Sequence, residues 1–279
     1  MTYKTIIYEK KGHIARIIAN RPEVLNAQSR LMIEELDEAF HQADTDGDVR
    51  VVVVGGAGPH FSAGHDMGSK DEMDDREKRG FPQNIEERVK RGEKLYLEAT
   101  LRWRNLSKPT IAMVQGYCIM GGLMLASACD IIIAADNARF SDRSVRQNSP
   151  HVQYASLPWE IGFRKAKELL WTGDFFDAQE ALRLGLVNRV VPADRLEAET
   201  IELAERIALQ DPFVVKMSKS SLNAMQDVMG FTTGITSSFR THNITDQRRN
   251  IEGFRVERKQ GESVAEWVTR RDKEFGDHR

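Results

Sequence analysis

Cysteine is nearly absent from this chain: Cys118 and Cys129 are the only two in 279 residues. Both lie in apolar surroundings, so buried thiols are expected rather than a disulfide framework. Long hydrophobic runs are missing too, and nothing approaches the ~20 unbroken apolar residues of a membrane-spanning helix. The first residues, MTYKTIIYEKKGH, carry no secretory pattern. Charge of one sign is also lacking: 40 Lys and Arg stand against 42 Asp and Glu, for a net charge of −2. Without a basic block, no nucleic-acid partner is expected. The pairs Arg248-Arg249 and Arg270-Arg271 read as solvated helix faces. There is no internal repeat and no low-complexity segment. These absences together lead to the expectation of a soluble cytoplasmic protein with no membrane partner. Hydrophobic residues make up 41% of the chain, enough for one large core, or one domain with an appendage.

What is present alternates between strand and helix. Thr5 to Tyr8 and Ile14 to Ala19 are β-rich runs around a polar turn, a hairpin pattern. Pro22 closes the second run. Ser29 is an N-cap candidate, and Leu31, Ile33, Leu36 and Phe40 follow at helical spacing. Arg50 to Val54 is a continuous buried strand, of the kind found in a sheet covered on both faces. The charged segment Gly68 to Gly80 lacks apolar periodicity and is expected to be a mobile loop or frayed helix. Ile85 to Leu106 reads as one long helix, and Thr110 to Val114 as a strand. After Asp211 the pattern is helical throughout. Such alternation argues for an α/β layer fold.

Two glycine-rich stretches interrupt this pattern. Val51 to Met67, VVVVGGAGPHFSAGHDM, runs from a strand through a turn to Ser62-Ala63-Gly64-His65-Asp66. Gln115 to Phe140 runs from Gly116 through Gly121-Gly122 into the apolar segment Leu123 to Cys129 and then a β-rich run. Glycines let backbone approach a ligand closely. Unpaired N–H groups at the start of a helix suit a developing oxyanion. Asp66 reads as a loop-ordering acceptor for nearby amides rather than a catalyst.

Together the two stretches resemble the crotonase (enoyl-CoA hydratase/isomerase) superfamily. Its members carry an [SA]-A-G-x-D loop and a G-Y-x-x-G-G-G turn. Asn20-Arg21-Pro22 through Asn26-Ala27 is similar to the family's N-R-P-x-x-x-N-A, one residue shorter in the gap. Thr172-Gly173, Ala178, Glu180-Ala181 and Gly185-Leu186-Val187-Asn188 match a fourth motif. The resemblance covers nearly the whole chain. It implies an α/β fold, the crotonase-type spiral of ββα repeats, in residues 1–200, and a C-terminal helical region, 201–279, that joins subunits into a homotrimer or homohexamer. The tail from Gly261 to Arg279 is expected to extend beyond the usual family end.

The resemblance also implies roles for residues. The backbone amides of His65 and Gly121 would hold a thioester oxygen, with Met120 replacing the first glycine of the family triplet. Glu23, Val24, Leu25 and Ala63 would line the CoA groove, and Phe254 and Lys259 would approach CoA from the last helix. No metal and no cofactor beyond CoA as part of the substrate is implied. Two departures stand out. The family's first catalytic glutamate is Met124 here, and its second is Ser144. Met cannot titrate, and Ser is a poor base unless activated. The segment Asn148 to Tyr154 replaces the usual I-P-G-x-G-G. Replacement acid/base candidates are His151 first, then Asp142, Tyr154 and Glu160. Met124, Ser144 and Asp142 are expected to line the pocket. The expectation is an acyl-CoA-processing enzyme that stabilises an enolate but hydrates simple enoyl-CoA poorly. A catalytically silent acyl-CoA binder is the alternative.

Overall fold

The computed structural model describes residues 2–251, 259, 262 and 264–274. Its strands are β1 (Ile6–Lys11), β2 (Ile14–Ala19), β3 (Val51–Gly56), β4 (Thr110–Val114), β5 (Tyr117–Ile119), β6 (Ile131–Ala135), β7 (Arg139–Ser141), β8 (Phe176–Asp177) and β9 (Arg189–Val191). Six of them form one sheet in the order β1-β2-β3-β4-β6-β9, and β5-β7-β8 form a second. The opening hairpin is antiparallel, and β2, β3, β4, β6 and β9 then run parallel.

The helices are α1 (Arg30–Thr45), α2 (Lys70–Arg79), α3 (Ile85–Gly92), α4 (Ala99–Arg104), α5 (Gly121–Ser127), α6 (Leu157–Ile161), α7 (Phe163–Thr172), α8 (Ala178–Leu184), α9 (Leu196–Ala208), α10 (Pro212–Val228), α11 (Phe231–Ile251) and α12 (Val264–Glu274). Alternation along β3 explains why its valines are all buried. Val52 and Val54 face a cluster that includes Met32, Leu36 and Phe40 of α1. Val51 and Val53 face the opposite cluster, with Leu196, Ala204 and Ala208 of α9. Residue 200 therefore falls inside a helix that covers the sheet.

Three local expectations change. The charged segment after Gly68 forms a capped helix, α2. The Ser69 hydroxyl accepts from the Glu72 amide, and Arg76–Glu72 and Arg79–Asp75 pair one turn apart. Caps and i,i+4 pairs make a helix where apolar periodicity offers none. The helix expected over Ile85 to Leu106 is interrupted by a π-helical turn, Glu93–Glu98, between α3 and α4. The pair Arg270-Arg271 is not a solvated face throughout, because Arg271 is buried with its guanidinium over the Trp267 ring.

The chain ends in helices. α10 is fastened by Lys219, whose ammonium donates to the Lys108 carbonyl at 3.0 Å and to Asp130 at 2.7 Å. Its outer side leaves Phe213, Val214, Leu222, Met225 and Val228 exposed. α12 buries Trp267 and Arg271, and its Asp272 pairs with Arg143 and Arg146. No helix among the described residues is long and apolar enough to cross a membrane.

Lys219→Ala leaves Asp130 without its cation and frees α10. It is expected to cost roughly 2 kcal/mol, less than a fully buried pair because Asp130 is partly exposed. Urea unfolding checks this, and an unchanged midpoint would show that α10 does not depend on the pair.

Candidate active site

The N-R-P segment is built into the core. Arg21 is 3% exposed. Its guanidinium donates to the Ala27 carbonyl at 2.6 Å, to Asp66 at 2.7 Å and to the Ser69 hydroxyl at 2.8 Å. Asn26, fully buried at φ +54°, accepts from the Arg21 amide and donates to the carbonyls of Ala57 and His60. Asp66 also accepts from the Gly68 and Ser69 amides at 3.0 and 2.7 Å and from the Ser69 hydroxyl at 2.5 Å. Burial opposes its charge, but the Ser69 and Arg21 hydrogen bonds outweigh it and hold the carboxyl below its usual range. Asp66 thus orders the loop.

Two backbone segments meet on this anchor. Ser62 donates its amide to Tyr117 at 2.9 Å and accepts from the Ile119 amide at 3.0 Å. A methyl added at Gly122 would meet the Ser62 carbonyl at 2.5 Å, and one at Gly64 would lie 3.1 Å from the Gly121 nitrogen. Only glycine permits so close an approach. Met120 turns the chain at φ +50°, a costly angle for a residue with a β-carbon, held by its amide bond to the Ser141 carbonyl at 2.9 Å. The amides of His65 and Gly121 make no hydrogen bond to any described residue. Two unpaired donors on facing segments can bind one oxygen between them.

The His65 imidazole turns inward. It stacks on Tyr96 with ring centroids 4.1 Å apart, and the π-helical turn before α4 is what carries Tyr96 to this place. A methyl at Gly121 would strike His65 Cδ2 at 2.6 Å. Although the residue keeps some accessible surface, the protein around the ring pushes its pKa down to about 3, through burial first and then His242 and Arg91. The ring is neutral at physiological pH and cannot serve there as a proton donor in imidazolium form.

Apolar packing surrounds Met124. Met124, 2% exposed, sits with Leu97, Val152, Tyr154, Phe231 and Phe239. Ser144 donates its hydroxyl to Asp142 at 2.5 Å, and Asp142 also accepts the amides of Ser144 at 3.0 Å and Val152 at 2.9 Å. Asp142 lines a cavity with Leu123, Met124, Val152, Tyr154 and Leu157.

The other candidates are placed differently. His151 binds the Val152 carbonyl through Nδ1 at 2.8 Å and faces His242, ring centroids 6.3 Å apart; it is not on the wall of the Asp142 cavity. His242, its pKa lowered chiefly by burial, contacts the His151 carbonyl at 2.7 Å. The Tyr154 hydroxyl is buried and finds no partner among the described residues, and burial raises its pKa well above the usual phenol value. Burial likewise lifts Glu160 to about 7, with Arg104 pulling the other way. Leu25 and Ala63 are tied by an amide-to-carbonyl bond of 3.0 Å beside the exposed Glu23 and the half-buried Val24. Lys259 is exposed, its amide bound to Glu262 at 2.9 Å; Phe254 lies outside the described residues. The residue that sequence reasoning missed is Gln28, buried between the two segments. Its position right after Asn26-Ala27 was the available signal.

A spiral of strands and helices with two free amides on facing glycine-rich turns defines a crotonase-type fold. The family model for enoyl-CoA hydratase/isomerase matches residues 9–278, and the chain belongs to that family. The match reaches past Gly261, so the tail is part of the family's length and not an addition to it. The chain is 43% identical over 256 residues to EchA13 of Mycobacterium tuberculosis, named as a candidate enoyl-CoA hydratase, covering 87% of this chain and 79% of that protein. It is similar to the crystal structure of a probable enoyl-CoA hydratase from Mycobacterium thermoresistibile, with 44% identity, a TM-score of 0.81, and 88% and 97% of the two chains covered. An enoyl-CoA hydratase/isomerase from Xanthobacter autotrophicus Py2 aligns over 98% of this chain and 99% of its own, with 30% identity and a TM-score of 0.82.

The buried groups set opposing pH dependences. Below pH 6.5 an unfolded chain protonates His65, while the folded chain refuses that proton until about pH 3. Stability is therefore lost as pH falls through that window, by up to about 1.4 kcal/mol per pH unit. His60 and His242, both lowered chiefly by burial, act in the same sense. Glu160 acts the other way: the unfolded chain loses this proton near 4.5 and the folded chain near 7, so stability falls as pH rises between them. Glu160→Gln is expected to be more stable than its parent at pH 8 and equal to it at pH 4. His65→Phe should flatten the acid limb. Urea midpoints across pH check both, and parallel curves for parent and variants would contradict them.

Proposed function

We propose that this protein is an acyl-CoA-processing enzyme that binds a thioester carbonyl oxygen between the backbone amides of His65 and Gly121 and stabilises its enolate. The observation that carries this reading is the pair of unpaired amides on segments packed too closely for any side chain. Donors of this kind are worth ~10²–10³ in rate each. Leu25 and Ala63, joined beside Glu23 and Val24, form the groove for the CoA portion, with Lys259 and Phe254 contributed from the C-terminal region. CoA enters as part of the substrate.

Asp142 is the acid/base group. It is a carboxylate on the cavity wall beside Met124, and it takes the α-proton as the amides take the developing charge. His151 is the weaker candidate, because its ring stands off that wall. Hydration of a simple enoyl-CoA needs a base for water and an acid for the α-carbon, and among the described residues Asp142 is the one carboxylate on the cavity wall. The reaction is accordingly one that passes through an enolate with a single proton carrier, such as isomerisation or C–C bond cleavage, in the cytoplasm. The exposed apolar side of α10 joins copies of the chain as a homotrimer or homohexamer. One observation favours a silent acyl-CoA binder instead: both family glutamate positions are occupied by packed or hydrogen-bonded groups. α-Proton exchange separates the two readings.

With butyryl-CoA in D2O, the protein is expected to exchange the α-proton measurably by NMR. Asp142→Asn should slow that exchange by ~10²–10⁴ with butyryl-CoA affinity kept. Exchange at the parental rate in Asp142→Asn would remove Asp142 from this role, and no exchange in the parent would favour the silent binder. Crotonyl-CoA should be hydrated slowly or not at all, followed as loss of enoyl absorbance. A fast rate would contradict the assignment of a single proton carrier.

A further inference from the structure

We infer that Gln28 is the positioning residue that sets the spacing and direction of the two thioester-binding amides, an inference that rests on the oxyanion reading above. Gln28 is 4% exposed and opens onto both segments at once. Its amide donates to the Gly64 carbonyl at 2.7 Å, and its carbonyl accepts from the Asp66 amide at 2.9 Å. These two bonds clasp His65 from one side in a parallel bridge. Across a trans peptide, the carbonyl of one residue and the N–H of the next point in opposite directions. With the Gly64 carbonyl turned toward Gln28, the His65 N–H is turned away from it, which leaves that donor unpaired.

The side chain of Gln28 serves the other segment. Nε2 donates to the Gly121 carbonyl at 3.2 Å, and Oε1 lies 2.8 Å from where a Gly121 β-carbon would stand. Main chain and side chain of one residue therefore hold both donor-bearing residues. The contact is desolvated, so losing it leaves a buried carbonyl without this donor and lets Gly121 rotate. Small rotations matter because an oxyanion donor works only within about 2.7–3.1 Å of the oxygen.

Acetoacetyl-CoA reports this directly, because its enolate absorbs where its keto form does not. The parent protein is expected to enrich the enolate of bound acetoacetyl-CoA. Gln28→Met keeps length and volume but removes the donor. It should bind butyryl-CoA within ~3-fold of the parent and lose the enolate enrichment by ~10-fold or more. Gln28→Glu, which puts an acceptor against the Gly121 carbonyl, should lose it as fully. Leu36→Ala, a core change in α1 away from the site, controls for stability and should keep the enrichment despite a lower urea midpoint. Retained enolate in both Gln28 variants would overturn the inference, as would an equal loss in Leu36→Ala. A parent that binds acetoacetyl-CoA with no enolate enrichment would overturn the oxyanion reading itself, and the role of Gln28 with it.

Discussion

The close approach of Ser62–Asp66 to Tyr117–Gly122 is the constraint on which the site depends. Each segment leaves its own strand, β3 or β4, and glycine stands where they touch most tightly. Added methyls at Gly64, Gly121 and Gly122 would come within 2.9, 2.6 and 2.5 Å of their nearest neighbours. The approach is held from outside by Arg21, Asn26 and Asp66, which satisfy one another and the loop carbonyls. Removing any of these leaves a buried polar group unpaired, an expensive change. The strained φ of Met120 is sustained in the same way, by the rigidity of its surroundings.

Much of the fold was legible in the sequence because its signals were strong and local. Four apolar residues in a row in β3 announced a strand covered on both faces. Gly64, Gly121 and Gly122 marked a close backbone approach. What escaped was set by contacts distant in sequence. The segment after Gly68 looked mobile because it has no apolar face, yet Glu72, buried against Arg30 and Arg76, fixes it as a helix. The π-helical turn at Glu93–Glu98 has no signature in an otherwise regular helical pattern, and it alone brings Tyr96 onto His65. The side chain of His65 carried no signal of its own, and it packs within the site on Tyr96. Gln28 passed unnoticed because a lone glutamine in an α-helix approach carries no motif of its own.

The pocket is packed differently at Met124 and at Ser144. Met124 belongs to an apolar cluster that joins α5 to α11, where the C-terminal helices seat against the core. Ser144 instead turns its hydroxyl to Asp142. Asp142 puts a carboxylate on the wall of the cavity. Elsewhere burial works against charge: His65 is held uncharged, and Glu160 is protonated up to about pH 7.

The central claim is that the His65 and Gly121 amides share one thioester oxygen. Infrared difference spectra of butyryl-CoA labelled with ¹³C at the thioester carbonyl test it most directly. Two aligned donors polarise the bond, so the labelled stretch should move to lower frequency on binding, and Gly121→Ala, which drives a methyl into His65, should abolish the shift. A stretch unmoved from its position in water, in a complex saturated with ligand, would contradict the account.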